Sequence, residues 1–421
     1  MKILTTSLLG VTLAASAIGM HAQEEVERTW LQWGGPHRNF TLTDGLTGDT
    51  WRTDQPTELW SRPLGEGYSS VLVDADTLVT MYRSGDAEIV IALDAASGTT
   101  RWEYAYDAPL LHDGYFEVWL NAAGPGPYST PLISGDRVFS IGVNGQLHAL
   151  DKRTGGLEWS HNLVELFDLV DYNAFASSPI AFDETIILPL GGSGRGVVAF
   201  DQRSGSVAWR SADFDLGPGS PSLINLEGQT QLVVLGQQEV VGLDPSDGTR
   251  LWSHPHENEL GLNISTPVWD SDGLLFVSSA YDGGSRLLRL TQIDGRTSAE
   301  ELWVNNRMRV HFGNAVQVGD LLLGSTGDFG PAFLAALDLD TGEEIWRERA
   351  FARAHLLRTD DGLVIVDEDG ELAVASITDT GLEVHMQMTA LAENAWTPPT
   401  LVDNVLYLRD RVSILALAFE D

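Results

Sequence analysis

One eleven-residue phrase recurs along this chain and strongly limits what the chain can fold into. A full copy is ALDKRTGGLEW, residues 149–159, in which Gly follows Asp after four positions and Trp follows Asp after eight. Five copies keep this spacing, with their Asp, Gly and Trp at Asp94, Gly98 and Trp102, at Asp151, Gly155 and Trp159, at Asp201, Gly205 and Trp209, at Asp244, Gly248 and Trp252, and at Asp338, Gly342 and Trp346. Such recurrence indicates a repeat architecture in which each copy belongs to one supersecondary unit.

The residue types within the phrase predict a β-hairpin. The apolar residues before the Asp end an alternating strand, and the Asp carboxylate can accept backbone N–H groups of the following turn. The Gly allows a positive φ, which other residues rarely adopt. The Trp on the second strand has a large flat face that can fill the seam between neighbouring sheets.

Two more strands lie between successive copies of the phrase. Segments 129–143, 177–190 and 265–280 each contain Ser/Thr-Pro or Ser-Ser-Pro, an apolar run, a polar turn and a second apolar run. Each period therefore holds four antiparallel strands, which is typical of a propeller blade. The strand openings predict eight blades, which begin near Ser69, Ser129, Ser177, Ser220, Ser265, Gly313, Arg353 and Trp396.

Three of the last four blades are less regular, and the ring needs a closing strand. A degenerate phrase ending at Trp303 fills the gap after Asp244, and the seventh phrase keeps Gly381 but has no Trp. The eighth blade stops before its outer strand, whereas segment 57–64, with Trp60, has no phrase of its own. The sequence thus predicts an all-β fold: an eight-bladed β-propeller of four-stranded antiparallel blades, closed by an N-terminal strand in the last blade, which removes open sheet edges.

The N-terminus predicts an export signal ahead of this propeller. Lys2, an apolar run and a small-residue site after Ala22 favour a signal peptide over residues 1–22. An uncleaved anchor is the alternative, but the run is short for a bilayer. We expect an N-terminal arm over 23–56, held by Trp30 and Trp33 against the side of the propeller, and the propeller itself over 57–421. The protein would then be exported, periplasmic or extracellular.

Composition excludes several classes of function. The formal net charge is −35, and removal of residues 1–22 would take away Lys2 and no acidic residue. Such a surface repels nucleic acids and anionic lipid headgroups. The chain contains no cysteine, so it has no thiol nucleophile, no Cys metal site and no lipidated cysteine. We therefore expect neither a nucleic-acid partner nor a membrane span or lipid anchor.

With these repeats, the chain resembles the PQQ-repeat, quinoprotein-like β-propellers over roughly residues 57–421. The segment WLQWGGPHRNF, residues 30–40, is also similar to a lead-in of secreted bacterial members. The resemblance implies two kinds of function. One branch contains quinoprotein alcohol and sugar dehydrogenases, which use PQQ and Ca²⁺, and the other contains non-catalytic members such as the lipoprotein scaffold of outer-membrane protein assembly.

The sequence departs from both branches. The dehydrogenases are typically longer, and many have an adjacent cysteine pair against the quinone, whereas this chain has no cysteine. Their calcium-binding Glu and Asn and their catalytic Asp match no motif here. The assembly lipoproteins have an anchor cysteine that is also missing. The resemblance thus predicts the fold much more specifically than the activity.

Candidate ligand-binding residues lie on the face opposite the Asp-containing turns, because the sequence is irregular there. They are Arg307, Arg309, His311, Arg353, His355, Trp119 and Trp396. The arginines and histidines form a local excess of positive charge suited to carboxylate or phosphate groups, unless they pair with neighbouring acids. Trp119 belongs to the longest loop, 104–128, which is either a lid or docking arm or a plug over the channel.

The sequence contains one weak candidate for a metal site. His254, His256 and Glu257 form a His-x-His-Glu cluster that could bind a divalent cation. The alternative is a solvated loop. No catalytic triad, P-loop or paired catalytic carboxylates are found, so we name no catalytic residue.

These observations favour an exported, non-catalytic binding or scaffold module without a cofactor. Its ligand would be a protein, a peptide or a glycan on the face formed by the B–C and D–A loops. The alternative is a minimal quinoprotein oxidoreductase that acts on alcohols or sugars with PQQ and Ca²⁺, with PQQ stacked on Trp119 or Trp396. The sequence does not identify the ligand or the oligomeric state.

Overall fold

The computed structural model describes residues 29–42, 55–110, 124–169, 174–211, 213–328, 331–360, 362–392 and 394–419. Eight antiparallel sheets form the blades of a ring, so the predicted eight-bladed β-propeller is confirmed. The first strands of neighbouring blades contact each other and line the central channel. Within the described residues no helix has the length and apolar character needed to cross a bilayer. The predicted signal peptide, residues 1–22, lies outside these residues.

The first four blades follow one another along the chain. Blade 1 contains β3 (Leu72–Asp74), β4 (Thr77–Ser84), β5 (Ala87–Asp94) and β6 (Thr100–Asp107), together with β1 (Thr29–Trp30) on its inner edge. Blade 2 contains β7 (Leu132–Ser134), β8 (Arg137–Ile141), β9 (Gln146–Asp151) and β10 (Leu157–Asn162), followed by the short helix α1 (Leu163–Leu166). Blade 3 contains β11 (Ile180–Phe182), β12 (Thr185–Pro189), β13 (Val197–Asp201) and β14 (Val207–Ser211). Blade 4 contains β15 (Ser222–Leu226), β16 (Gln229–Leu235), β17 (Glu239–Leu243) and β18 (Arg250–Pro255).

The remaining blades complete the ring. Blade 5 contains β19 (Val268–Asp270), β20 (Leu274–Ser279), β21 (Gly284–Ile293) and β22 (Arg296–Asn305). Blade 6 contains β23 (Val310–Val318), β24 (Leu321–Thr326), β25 (Phe333–Asp338) and β26 (Glu344–Glu348). Blade 7 contains β27 (His355–Arg358), β28 (Leu363–Val366), β29 (Glu371–Thr378) and β30 (Gly381–Thr389). Blade 8 contains β31 (Thr400–Val402), β32 (Val405–Arg409), β33 (Ser413–Ala418) and β2 (Thr57–Pro63).

Blade 8 closes the ring as the sequence predicted. Strand β2 pairs antiparallel with β33, and Trp60 lies opposite Ala416 on this outer strand. Buried Arg409 adds a second connection, because its guanidinium donates hydrogen bonds to the carbonyl oxygens of Met81 and Gly67 in the blade 1 region, at 2.7 and 2.8 Å. Blade 8 is therefore joined to blade 1 on its inner side and to the N-terminal strand on its outer side.

The five phrases form hairpin turns on one face, which we call the Asp-turn face. In Asp151, for example, Oδ1 accepts a hydrogen bond from Thr154 N at 2.8 Å. Gly155 has φ +70° and packs beneath Trp102 of the preceding blade, so that a Cβ there would lie 2.5 Å from Cε3 of the indole. The Trp102 Nε1 donates to Lys152 O at 2.9 Å. Two features therefore require glycine at this position: its positive φ and the close packing of the Trp ring against it.

The hairpin of blade 5 replaces an Asp turn with a longer structure. Beyond the β-bulge, β21 and β22 form six residue pairs, whereas the corresponding strands of blade 4 form one. The five additional pairs lengthen the hairpin by about 16 Å. Trp252 of blade 4 thus has no Asp turn beside it, and its Nε1 instead donates to Gln231 Oε1 at 2.7 Å.

The N-terminal arm, residues 29–42, lies in the central channel, so the expected position against the side of the propeller was wrong. Strand β1 pairs with β3, the innermost strand of blade 1. Trp30 is buried there, and Trp33 Nε1 donates to Thr266 Oγ1 of blade 5, on the opposite side of the ring, at 2.9 Å. The sequence contained the two tryptophans but gave no indication that they would lie in the channel.

Candidate functional site

Aromatic side chains gather around the channel at the face opposite the Asp turns, which we call the loop face. Four of them, here called the aromatic crescent, precede or begin innermost strands: Tyr128, Tyr68, Trp396 and Phe312. Their ring centroids lie 6.3 Å apart for Tyr68 and Tyr128, 5.3 Å for Tyr68 and Trp396, and 4.8 Å for Trp396 and Phe312. Tyr68 is buried, whereas the other three rings are partly exposed.

Trp396, a predicted site residue, is tied to a second one through an acid. Its Nε1 donates to Glu368 Oε2 at 3.2 Å, and Oε1 of the same carboxylate forms an ion pair with Arg353 at 2.5 Å. Arg353 also donates to the carbonyl oxygen of Asp328 at 2.7 Å. Loops of three blades thereby hold the indole in one orientation.

The predicted excess of positive charge is absent among the described residues of these loops, because acids from other loops neutralise it. Arg309 lies 2.5 Å from Asp282 and 3.5 Å from Asp328, and Arg353 pairs with Glu368. These pairs are the alternative that the sequence left open. Arg307 is mostly exposed and lies 3.9 Å from Glu344.

The two predicted histidines carry no charge at neutral pH. Burial lowers the pKa of His355 to about 4. Burial and the nearby Arg353 lower the pKa of His311 to about 4 as well. His311 Nε2 lies 2.6 Å from the Tyr281 hydroxyl, and the two rings meet edge to face. Both histidines are therefore neutral and pack against Phe312 instead of binding anions.

The remaining ligand-binding candidate, Trp119, lies outside the described residues. The described chain resumes at Gly124, whose carbonyl accepts a hydrogen bond from the Tyr128 hydroxyl. The described end of the loop 104–128 thus lies beside the aromatic crescent, and its role as a lid, docking arm or plug stays a prediction.

The residues of the weak metal candidate do not converge. His256 is buried, with Nε2 2.8 Å from Ser279 Oγ and Nδ1 2.9 Å from an Arg286 nitrogen. His254 instead faces Glu301, at 3.8 Å. Across the part of the chain that the structure describes, no three His, Asp or Glu side chains are arranged to hold a metal ion. His254, His256 and Glu257 therefore do not form the metal site that their spacing suggested.

The contact between Ser279 and His256 is not that of a catalytic dyad. The guanidinium of Arg286 donates to Nδ1 of His256, so the ring proton is on Nε2 and points at Ser279 Oγ. The Ser279 hydroxyl in turn donates to Asn263 Oδ1 at 2.5 Å. Since both side chains are buried and the imidazole cannot accept the serine proton, Ser279 is not activated as a nucleophile.

The described residues near the channel provide only part of what PQQ with Ca²⁺ would need. The metal would need oxygen ligands converging on one point, and no such group of carboxylates is found in the described ranges. Arg309 and Arg353, which could bind the carboxylates of the quinone, already bind acids. A stacking surface is present at Trp396, whereas both of these arginines are already paired with acids.

Sequence reasoning missed Tyr68 and Phe312, although a signal was present. Three crescent residues directly precede a strand opening, in Tyr68-Ser69, Tyr128-Ser129 and Phe312-Gly313, and Trp396 is itself an opening. Alignment of the openings would have shown aromatic residues at one structural position. It would not have shown that they touch, because their contacts depend on closure of the ring.

A family model and two curated proteins match the chain. The PQQ_2 family, described as outer membrane protein assembly factor BamB, matches residues 46–211 and 86–348. Quinohemoprotein alcohol dehydrogenase ADH IIB of Pseudomonas putida is 26% identical over 229 residues, which are 53% of this chain and 31% of that protein. The chain thus spans about a third of this relative. BamB of Burkholderia pseudomallei is 22% identical over 361 residues, which are 74% of this chain and 86% of that protein.

Solved structures share the fold. BamB from Moraxella catarrhalis superposes with a TM-score of 0.60 at 17% identity, covering 87% of this chain and 98% of that one. Quinohemoprotein alcohol dehydrogenase from Comamonas testosteroni superposes with a TM-score of 0.63 at 13% identity, covering 96% and 82%. At such identities the likeness concerns the architecture alone. The repeats, the eight blades and the match over residues 46–348 establish that this chain belongs to the PQQ_2 family of PQQ-repeat β-propellers.

Proposed function

We propose that the protein is an exported, non-catalytic binding or scaffold module whose ligand contacts the aromatic crescent on the loop face. The observation that carries this proposal is the row of adjacent rings from Tyr128 through Tyr68 and Trp396 to Phe312, of which the first two pairs are stacked and the last is tilted. Partly exposed aromatic rings combine a large apolar area with few rotatable bonds, which suits recognition.

The charge around the crescent favours a ligand without high charge. Arg353 with Glu368 and Arg411 with Glu66 form ion pairs beside the rings. Each pair offers both donors and acceptors while its net charge is close to zero. A protein or peptide segment with apolar side chains, or a glycan with flat sugar faces, meets these conditions better than a polyanion does.

The relatives support a role in protein binding, and the N-terminus supports export. BamB of Burkholderia pseudomallei is an outer membrane protein assembly factor, and such a factor works with other proteins. Residues 1–22 match the pattern of a cleaved signal, which would place the chain in the periplasm or outside the cell. N-terminal sequencing of the secreted or periplasmic protein tests this, because an intact Met1 would contradict cleavage after Ala22.

Quantitative affinity capture tests the binding site. Trp396→Ala should remove most of the captured ligand, since the central ring of the crescent is lost. Ile293→Ala is the matched control, because Ile293 is 68% exposed on the blade 5 hairpin, near the opposite face. If the Trp396→Ala variant captures as much ligand as the Ile293→Ala variant, the proposal is contradicted. A ligand that binds only to the Asp-turn face would contradict it as well.

The second candidate is a minimal oxidoreductase that acts on alcohols or sugars with PQQ and Ca²⁺. It is supported by the match to quinohemoprotein alcohol dehydrogenase and by the stacking surface of Trp396. Dye-linked assays with PQQ, Ca²⁺ and a panel of alcohols and sugars test it. Turnover that requires both PQQ and substrate would favour this candidate over the binding module.

A further inference from the structure

The N-terminal arm has the contacts of a bound peptide. Thr29 and Trp30 add a short antiparallel strand to β3, opposite Asp74 and Val73. The carbonyl of Leu31 then accepts a hydrogen bond from Ile133 N of blade 2 at 2.8 Å. These backbone contacts resemble the addition of a peptide strand to a sheet edge.

The second half of the arm continues across the channel axis. Arg38 donates to the carbonyl oxygens of Pro179 and Ser178, just before β11 of blade 3, at 3.0 and 3.4 Å. Opposite them, Arg358 N of blade 7 donates to Phe40 O, and Leu42 N donates to Arg358 O, both at 2.9 Å. Because blades 3 and 7 lie across the ring from each other, the arm bridges the channel.

Three side chains give this contact its specificity. Trp30 and Phe40 are each 1% exposed, and Arg38 is 3% exposed. Among the described residues, the guanidinium of Arg38 is bound by oxygens of carbonyls and of the Gln32 amide, not by an acid. Burial lowers the pKa of Arg38 to about 9. Both terminal nitrogens of this buried guanidinium donate to carbonyl oxygens of blade 3, so this receptor favours an arginine at one position.

The arm also has a fixed shape of its own. Gly34 and Gly35 have φ values of +72° and +83°, and a Cβ on Gly35 would lie 2.9 Å from the Trp30 ring. Trp33 and Phe40 meet edge to face at 5.4 Å. The segment therefore folds back on itself, and its two glycines are needed for the turn.

We propose that the channel end at the Asp-turn face is a peptide-binding site, that residues 29–42 are its resident ligand, and that the same segment of a second copy can occupy it in trans. The arm begins beside the C-terminal end of β3 and finishes beside the C-terminal end of β27. Both of these strand ends lie at the Asp-turn face. Twelve residues, 43–54, connect the arm to the rest of the chain, so the intramolecular contact is favoured by effective concentration.

Cleavage of the connection in the folded full-length protein tests the proposal. A protease site is inserted between residues 42 and 55, and the cleaved protein is passed through a sizing column. We expect the arm to stay bound and a labelled synthetic peptide of residues 29–42 to exchange into the site and saturate it. An Arg38→Ala peptide should bind at least tenfold more weakly, whereas a His37→Ala peptide should bind like the parent, since His37 is exposed.

Each other outcome overturns the proposal. Release of the arm without a change in Tm would mean that the channel does not bind it. Loss of circular dichroism on cleavage would mean that the arm is an integral part of the fold and not a ligand. Retention without any exchange of the labelled peptide, even at raised temperature below Tm, would exclude occupation in trans.

Discussion

The two faces of this propeller differ in how their residues repeat. On the Asp-turn face, the same Asp, Gly and Trp return in five blades. The Asp carboxylate accepts a backbone N–H of its turn in every copy, from three residues on in four copies and from two residues on at Asp244. On the loop face, an aromatic residue stands at or directly before the strand opening of blades 1, 2, 6 and 8, but Ala176, Gly219 and Ile264 directly precede the openings of blades 3 to 5. Repetition thus marks what holds the blades together, and variation marks where a ligand can be recognised.

Removal of a seam tryptophan should have the largest effect on stability. Trp102 is 8% exposed and loses both its packing on Gly155 and its hydrogen bond to Lys152 O in Trp102→Ala. The free energy of unfolding should fall by about 3–5 kcal/mol. Trp396→Ala, on the loop face, should lower it by less than about 2 kcal/mol, because this ring is partly exposed. If urea titrations show the same loss of unfolding free energy in both variants, the proposed difference between the two faces is contradicted.

The glycine of the phrase should tolerate no side chain. In Gly155→Ala, the new Cβ meets the Trp102 ring at φ +70°, so the free energy of unfolding should fall by about 2–4 kcal/mol. Gly135→Ala is a matched control, because Gly135 has φ +57° but no atom within 4 Å of the new Cβ. It should lower the free energy of unfolding by only about 1 kcal/mol. A control that is as unstable as Gly155→Ala would show that the Trp contact contributes nothing.

Acid should weaken the loop face before the Asp-turn face. Burial lowers the pKa of His355 from 6.5 to about 4. Between these values the unfolded chain binds a proton that the folded chain does not, so the free energy of unfolding falls as the pH drops from 6.5 to 4. His355→Phe should flatten the Tm profile in this window. An unchanged slope in the variant would contradict the assignment.

The turn carboxylates act in a lower window. Hydrogen bonds from Ser204, first its hydroxyl and then its backbone N–H, hold the pKa of Asp201 below 3.8. Its contribution is present above pH 3.8 and is lost as the pH falls through the lowered value. Asp201→Asn should therefore alter the Tm profile only below about pH 4. A change near pH 6 in this variant would mean that the two faces are not separable by titration.

The smallest effect is expected for the hydrogen bonds of one turn. Asp201→Ala removes the acceptor of Ser204 N and Ser204 Oγ, at 2.7 and 2.6 Å, on an exposed surface. The free energy of unfolding should fall by about 1 kcal/mol. Asp201→Asn keeps an oxygen at this place and is expected to lose less at neutral pH. If both variants lose equally, the charge and not the acceptor stabilises the turn.

The fold could be predicted because its signal is local and repeated. Trp60 was placed on the outer strand of blade 8 only because the last blade lacked one, and its pairing with β33 confirms this. The strand that β1 adds to blade 1 carried no such signal. Two residues are too short for a periodic pattern, and their partners lie more than 40 positions away.

The candidate site could be predicted only in part, because its contacts join distant segments. The charges of Arg309 and Arg353 were visible in the sequence, but their acidic partners Asp282 and Glu368 come from other loops. Tyr68 and Trp396 touch only because the ring closes, across 328 positions of the chain. Local counting therefore found the arginines and the possibility that acids neutralise them, but it identified neither those acids nor the aromatic crescent.

Titration of the purified full-length protein with PQQ in the presence of Ca²⁺, followed by thermal shift, tests the central claim most directly. Because the arginines of the loop face already bind acids, we expect PQQ to cause no saturable rise in the Tm of the protein. The Trp396→Ala variant should give the same result as the parent protein. A saturable rise in Tm that Trp396→Ala abolishes would contradict this account and would assign the loop face to the redox cofactor.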